Sequence, residues 1–219
     1  MKKRLVGRIK AVMFDTGGVL ALGKNSSWNG HKLVPSGVHL DISKKLHISI
    51  DQYMDAIDTN YALAIEGKIS KDQVMKIFSK NLKVSEDKLR RLYIWAYKKH
   101  FVQNKQLFKQ AFELKELGYK IGIISDQWYL SKEALMSGKI FSRFNPLIVS
   151  CDVGVRKPNP RIYKMAIKKL NLHPSEILFI DNQIWNIKPA KNLGMNTILF
   201  KNNKQLFENK IWKDLFTKK

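Results

Sequence analysis

Residues 9–20 read IKAVMFDTGGVL. Ala11 to Phe14 form a short apolar run that stops on Asp15. Thr16, Gly17 and Gly18 follow, and the chain then turns apolar again. A buried strand that carries a carboxylate to its C-terminal edge and then turns on glycine is how open α/β sheets present a reactive group. Two glycines behind the carboxylate let the backbone approach a ligand and expose N–H donors. The stretch predicts a first strand over 9–14, with Asp15 at its working end.

Downstream the same arrangement recurs. Strands are expected over 119–124, ending in Ser125-Asp126, and over 177–180, ending in Asp181-Asn182. Two more are expected over 147–150 and 197–200, the former followed by a basic turn, Arg156-Lys157-Pro158. Helical stretches separate them. One runs over 104–117 and is closed by Gly118; another reaches Gly138. A third carries Ile162, Tyr163, Ala166, Ile167 and Leu170 after Pro158, a fourth ends at Gly194, and a last one covers 204–216. Strand and helix alternating in this way argue for an α/β fold, a parallel sheet covered on both faces. In a parallel sheet every strand ends on the same edge. Asp15, Ser125, the Arg156-Lys157 turn and Asp181-Asn182 can therefore converge. A carboxylate nucleophile, a hydroxyl, a lysine and a further carboxylate make a phosphoryl-transfer site. Carboxylates with backbone carbonyls hold Mg²⁺, and Lys and Ser bind phosphate oxygens. The aspartate attacks phosphorus to give an acyl-phosphate.

Between the first strand and the second lies a helical block. Ile50, Tyr53, Met54, Ile57, Tyr61, Ala64 and Ile65 fall at helical spacing, and Gly67 ends the run. Ser70 caps a second helix with Val74, Ile77 and Phe78 inward. Ser85, with Glu86 and Asp87 in the first turn, opens a third that carries Leu89, Leu92, Tyr93, Ala96 and Tyr97. Residues 21–49 read as a loop with one short helix near Ser43. The block reads as an inserted module over 21–102, with 1–20 and 103–219 forming the core.

Composition bounds the rest. The 219 residues suffice for a full core, and 44% hydrophobic with 26% charged residues is an ordinary globular balance. No apolar run approaches a membrane span. The basic start, MKKRLVGRIK, is cut off from any signal-like pattern by Asp15 and the glycines, so it reads as the approach to the first strand. A single cysteine, Cys151, excludes an intrachain disulfide and a cysteine metal cluster, and it fits a reducing cytoplasm. The net charge of +22 suits a polyanionic partner, but the lysines fall on most helices and in no single tract. A solvated lysine-rich surface is favoured over a nucleic-acid surface.

Four segments carry a resemblance. FDTGGVL, IGIISD, VSCDVGVRKPNPRIYKMAI and ILFIDNQIWNIKPAKNLGM resemble, in order, motifs I to IV of the haloacid dehalogenase (HAD) superfamily. The helical block sits where many members carry a C1-type cap. The resemblance implies a Rossmann-like parallel sheet core with that cap inserted, and a Mg²⁺-dependent hydrolase acting on a small phosphate ester. By position, Asp15 becomes the nucleophile and a metal ligand. Gly17 gives the metal its backbone carbonyl, and Asp181 and Asn182 complete the metal set. Ser125 and Lys157 hold the transferring phosphoryl group, with Gly18 and Asp126 beside them, and Lys157 restrains Asp15. Asn186 shapes the motif IV loop. The dehalogenase branch fits worse, since it calls for a bulky aromatic after the nucleophile loop.

Two positions depart from the family's phosphatases. Gly17 stands where a second aspartate usually serves as general acid and base, and Asn182 stands where motif IV usually has a second acid. General acid–base catalysis contributes about 10²–10⁴-fold, so its loss slows such an enzyme without abolishing it. The same departures leave a second class open: a catalytically impaired protein of this fold that uses its basic surface to bind RNA or another polyanion. Trp28, His31, His39 and Trp128 read as packing or surface residues, His100 and His173 as surface positions, and Cys151 as a buried thiol after a strand.

Overall fold

The computed structural model describes residues 9–24 and 37–217. In chain order the elements are β1 (Ala11–Phe14), β2 (Ala21–Gly23), α1 (Gly37–Lys45), α2 (Ile50–Ile65), α3 (Lys71–Leu82) and α4 (Glu86–His100). Next come β3 (Phe101–Gln103), α5 (Lys105–Glu116), β4 (Lys120–Ser125), α6 (Tyr129–Leu135), β5 (Leu147–Val149), α7 (Ser150–Val153) and α8 (Pro160–Leu170). The chain closes with β6 (Ile177–Asp181), α9 (Ile184–Asn192), β7 (Asn196–Leu199), α10 (Asn203–Glu208) and α11 (Lys210–Phe216). The basic residues at 1–8, and Trp28 and His31, lie outside the described residues.

Five strands form one parallel sheet in the order β5-β4-β1-β6-β7. β1 is central: Ala11 pairs with Lys120 on one side and Ile177 on the other. Its side chains alternate between two buried layers, as a strand covered on both faces requires. Val12 and Phe14 pack with Leu107, Phe108 and Leu114 of α5 and Trp212 of α11. Ala11 and Met13 pack with Ile162, Tyr163 and Ala166 of α8 and Ile187 of α9. With the sheet sealed on both faces, polar groups at the strand ends collect on one edge.

The block between β1 and α5 differs in detail from the sequence expectation. Ala21–Gly23 is a strand, paired antiparallel with Phe101–Gln103. Each strand has three residues, too few for a periodic signal. The two cross at the base of the helical block, where the chain leaves and re-enters the sheet half. The last helix is also two helices, because the Asn209 side chain accepts from the Ile211 N–H and starts α11 afresh. Ser70 and Ser85 cap α3 and α4 as expected.

Helices α1 to α4 surround their own apolar cluster, built on Val38, Ile42, Tyr53, Ile57, Val74, Phe78, Leu89 and Tyr93. Trp128, Leu130 and Ala134, at and within α6, belong to the same cluster. Trp128 is fully buried, with the Tyr93 ring 4.6 Å and the Tyr61 ring 5.4 Å from its own. Its Nε1 donates to the Tyr97 hydroxyl at 2.9 Å. The helical block is thus anchored on the segment that directly follows the second polar strand end. Among the described residues, no helix is long and apolar enough to cross a membrane.

A chain of buried polar rings runs through this cluster. His39 Nδ1 lies 3.2 Å from the Tyr53 hydroxyl, which lies 2.5 Å from that of Tyr93. Burial holds the His39 imidazole low, at about 4 against an ordinary 6.5. The unfolded chain therefore takes up this proton at higher pH than the folded one. The stability tied to neutral His39 is complete above pH 6.5 and is lost as pH falls toward 4. At about 1.4 kcal/mol per pH unit, the loss approaches ~3 kcal/mol. Urea unfolding at a series of pH values, compared between wild type and His39→Phe, is expected to show the variant losing less stability over that interval. His100, expected at the surface, is instead half-buried and paired with Asp41 at 2.8 Å.

Candidate active site

The C-terminal edge of the sheet gathers the polar residues that end its strands. Lys157, from the loop between α7 and α8, is buried at their centre. Its ammonium lies 2.9 Å from Asp15 Oδ1 and 2.7 Å from Asp181 Oδ2, and donates to the Ile124 carbonyl at 3.3 Å. Burial works against its charge, but Asp15, Asp181 and Asp126 more than offset that and raise it above the ordinary lysine value. One buried ammonium therefore faces two buried carboxylates. Burial, opposed by Lys157 and reinforced by Asp181, pushes Asp15 up to about 7. The site is short of positive charge and favours either a proton or a further cation beside Asp15.

Each carboxylate is held from a second direction. Asp15 Oδ1 also accepts from the Thr16 N–H at 2.7 Å. Both contacts fall on Oδ1, which leaves Oδ2 for another partner. Asp181 Oδ1 accepts from the Gln183 N–H at 2.7 Å, and both of its oxygens accept from Asn186 Nδ2 at 3.2 and 3.1 Å. Asn186 itself is fixed by its backbone carbonyl, which accepts from the Tyr163 hydroxyl at 2.9 Å.

The turn after β1 sorts its glycines into different tasks. Gly18 has φ +81°, and a Cβ there would lie 2.3 Å from Asn182 Nδ2, so only glycine lets Asn182 lie against the turn. The Gly18 N–H donates to the Ala21 carbonyl at 2.8 Å and is used up inside the turn. Gly17 bridges to Ala21, but both hydrogen bonds of the bridge run through Thr16 O and Gly18 N, which leaves the Gly17 carbonyl for another partner. Among the described residues, a Cβ at Gly17 would meet a single atom within 4 Å, Gln127 Nε2 at 4.0 Å.

Around Ser125 the geometry separates two neighbours that the sequence treats alike. Ser125 is fully buried at the end of β4, and its Oγ accepts from Gln127 Nε2 at 3.1 Å. Asp126 turns away: its Oδ1 accepts from the Lys157 backbone N–H at 2.9 Å, and Arg156 lies 3.8 Å from its Oδ2. A carboxylate so placed holds the Lys157 turn. Gln127 went unread in the sequence, where a glutamine after a strand looks like any loop residue. It is buried, and Ser150 Oγ both donates to its carbonyl (3.2 Å) and accepts from its N–H (3.0 Å).

The donor set suits a hard cation. Among the described residues no cluster of three or more His, Cys, Asp or Glu is arranged to hold a metal, so carboxylates alone do not suffice. Asn182 Oδ1, however, is a buried oxygen with no hydrogen-bond partner. Together with a carboxylate oxygen of Asp15, Asp181 and the Gly17 carbonyl, it offers the all-oxygen set that Mg²⁺ takes. The charge imbalance at Asp15 favours the same ion.

A family model described as haloacid dehalogenase-like hydrolase matches residues 9–194. The chain belongs to that family. Among relatives of this HAD-like hydrolase, bifunctional epoxide hydrolase 2 of Sus scrofa is 30% identical over 209 residues, covering 87% of this chain and 36% of that protein. Glyceraldehyde 3-phosphate phosphatase of Pyrococcus abyssi is 38% identical over 102 residues, 44% of this chain and 41% of that one. The chain spans less than half the length of each of these relatives. A HAD family enzyme of Bacteroides thetaiotaomicron, an Asp-to-Ala mutant in complex with magnesium and inorganic phosphate, shares the fold. Its TM-score is 0.72 at 18% identity, covering 91% of this chain and all of that one.

Cys151 stands apart from this HAD site. It is buried in α7, and burial, with Asp152 beside it, pushes its thiol up to about 12, so it stays an inert thiol.

Proposed function

We propose that the chain is a Mg²⁺-dependent phosphatase that acts on a small phosphate ester through an aspartyl-phosphate at Asp15. The observation that carries this is the buried Lys157 ammonium shared between Asp15 and Asp181. An ammonium in that place holds Asp15 ready and can neutralise an incoming phosphoryl group. In this reading Asp15 Oδ2 attacks phosphorus and the ester oxygen leaves. Ser125 donates its hydroxyl proton to a phosphoryl oxygen as a hydrogen bond, while Lys157 attracts a second oxygen. When bound at Asp15, the Gly17 carbonyl, Asp181 and Asn182, Mg²⁺ would supply positive charge to the phosphoryl oxygens. Water then attacks phosphorus, the bond to Asp15 breaks, and phosphate is released.

Asp126 and Gly18 stand beside Ser125 and Lys157 in the phosphate-binding set, Asp126 also holding the Lys157 turn and Gly18 the turn after β1. Residues 21–102 serve as a cap, and the aromatic cluster around Trp128 fixes it to the core. The single cysteine fits a reducing compartment. Short phosphorylated sugars come first among substrates, because a glyceraldehyde 3-phosphate phosphatase is among the relatives. The test is a panel of p-nitrophenyl phosphate, sugar phosphates and nucleotides, with and without Mg²⁺, on wild type and Asp15→Asn. Metal-dependent turnover absent from the mutant supports the reading. A protein that instead binds RNA with steep salt dependence, regardless of Asp15, would put the polyanion-binding alternative in its place.

A further inference from the structure

Among the described residues, Gln127 Nε2 is the single atom within 4 Å of a Cβ placed at Gly17, and the same nitrogen donates to Ser125 Oγ at 3.1 Å. A carboxamide has two N–H donors and an acceptor oxygen, so the bond to Ser125 uses one group of three. Both backbone polar groups of Gln127 are bonded to Ser150 Oγ, and the side chain is buried, so the carboxamide is held in place. It lies between the hydroxyl at the end of β4 and the empty position next to the nucleophile.

We propose that Gln127 is a positioning residue for the second half of the reaction, orienting the water that hydrolyses the aspartyl-phosphate. The inference rests on the phosphatase reading. A glutamine cannot transfer a proton, but it can hold a water by donating with Nε2 or accepting with Oε1, and holding the attacking molecule in line is a large part of phosphoryl-transfer catalysis. The balance is complete without another base. The water oxygen bonds to phosphorus as the bond between phosphorus and the Asp15 oxygen breaks with its electron pair. The Asp15 carboxylate is regenerated, and the water proton passes to a phosphoryl oxygen of the departing phosphate. By accepting from Gln127, Ser125 Oγ also keeps its own proton directed elsewhere, available to a phosphoryl oxygen.

Rapid-quench kinetics with p-nitrophenyl phosphate separate the two halves. In Gln127→Leu the first turnover, which releases one equivalent of p-nitrophenol per enzyme, is expected to stay near its wild-type rate. Steady-state turnover should fall about tenfold or more, with phosphoenzyme accumulating. Gln127→Asn, which keeps the carboxamide but retracts it by one methylene, should slow the same step if the leucine variant does not fold. In a Gly17→Asp background the cost of Gln127→Leu is expected to shrink, because a carboxylate can then manage the water itself. Equal slowing of burst and steady state, wild-type turnover in either variant, or an unchanged cost in the Gly17→Asp background overturns the proposal. Wild type without any Asp15-dependent turnover overturns the phosphatase reading and this one with it.

Discussion

Gly17→Asp is expected to raise turnover of a sugar phosphate by about 10²–10⁴-fold, the usual contribution of a positioned general acid and base. Three observations make the substitution feasible. Position 17 has no φ in the left-handed region that would resist a side chain. Among the described residues a Cβ there meets no backbone atom within 4 Å, and its one neighbour is the far end of the Gln127 side chain at 4.0 Å. It also stands two residues beyond Asp15, on the turn that leaves the nucleophile. The gain should depend on the leaving group. An alkoxide needs a proton as it departs, whereas p-nitrophenolate does not, so the gain in the step that forms the phosphoenzyme should be large for sugar phosphates and small for p-nitrophenyl phosphate. Like-charge repulsion from Asp15 and Asp181 works against the new carboxylate, and a higher Mg²⁺ requirement is the expected side effect. Steady-state kinetics of both proteins on both substrate types decide it. A folded variant with no gain on sugar phosphates would contradict the assignment of position 17.

Lys157→Met is expected to abolish turnover and to destabilise the fold by about 3–5 kcal/mol, the usual cost of removing one partner from a buried ion pair. The ammonium is fully buried between two carboxylates, and among the described residues no other cation is within 4 Å of either. Without it, Asp15 and Asp181 are left as two unpaired buried charges. Burial then raises Asp15 with no lysine opposing it, so the folded variant binds more protons than the unfolded chain. The destabilisation is thus present at neutral pH and shrinks as pH falls and the carboxylates protonate. Urea unfolding of wild type and variant at neutral and acidic pH measures this. A loss that does not change with pH would mean that packing of the lysine stem, not its charge, holds the site together.

The strand ends were legible because chemistry there interrupts hydrophobicity. An apolar run that breaks on Asp15, Ser125 or Asp181 marks both the strand and the group it delivers. Capping serines at 70 and 85 were legible for a similar reason, since the cap is a local hydrogen bond encoded within four residues. What escaped depends on contacts between distant segments. Trp128 reads as a packing residue, but that it joins the cap's core is visible only when Tyr61, Phe78 and Tyr93 surround it. The strands at 21–23 and 101–103 exist only as a pair, separated by the whole cap. Residue type and neighbourhood do not show what Gly18 and Asp126 hold within the chain. Their hydrogen bonds, to Ala21 and to the Lys157 backbone, are tertiary facts. Gln127 carries no sequence signal at all.

The departures at Gly17 and Asn182 look less damaging in the structure than in the sequence. Asn182 keeps a buried, unpartnered oxygen beside the nucleophile turn, and Gly18 is shaped to let it sit there. In the proposed site that oxygen remains available as a ligand atom, and the charge it lacks would lower metal affinity. Gly17 keeps its carbonyl and gives up a proton relay, which is where Gln127 stands.

The central claim is that Asp15 takes up the phosphoryl group. The most direct measurement is intact-protein mass spectrometry of enzyme quenched in acid during turnover of p-nitrophenyl phosphate with Mg²⁺, followed by hydroxylamine treatment. The account expects a species heavier by one phosphoryl group that hydroxylamine removes, present in wild type and absent in Asp15→Asn. An unmodified wild type under conditions that release p-nitrophenol, or the same adduct in Asp15→Asn, would contradict it.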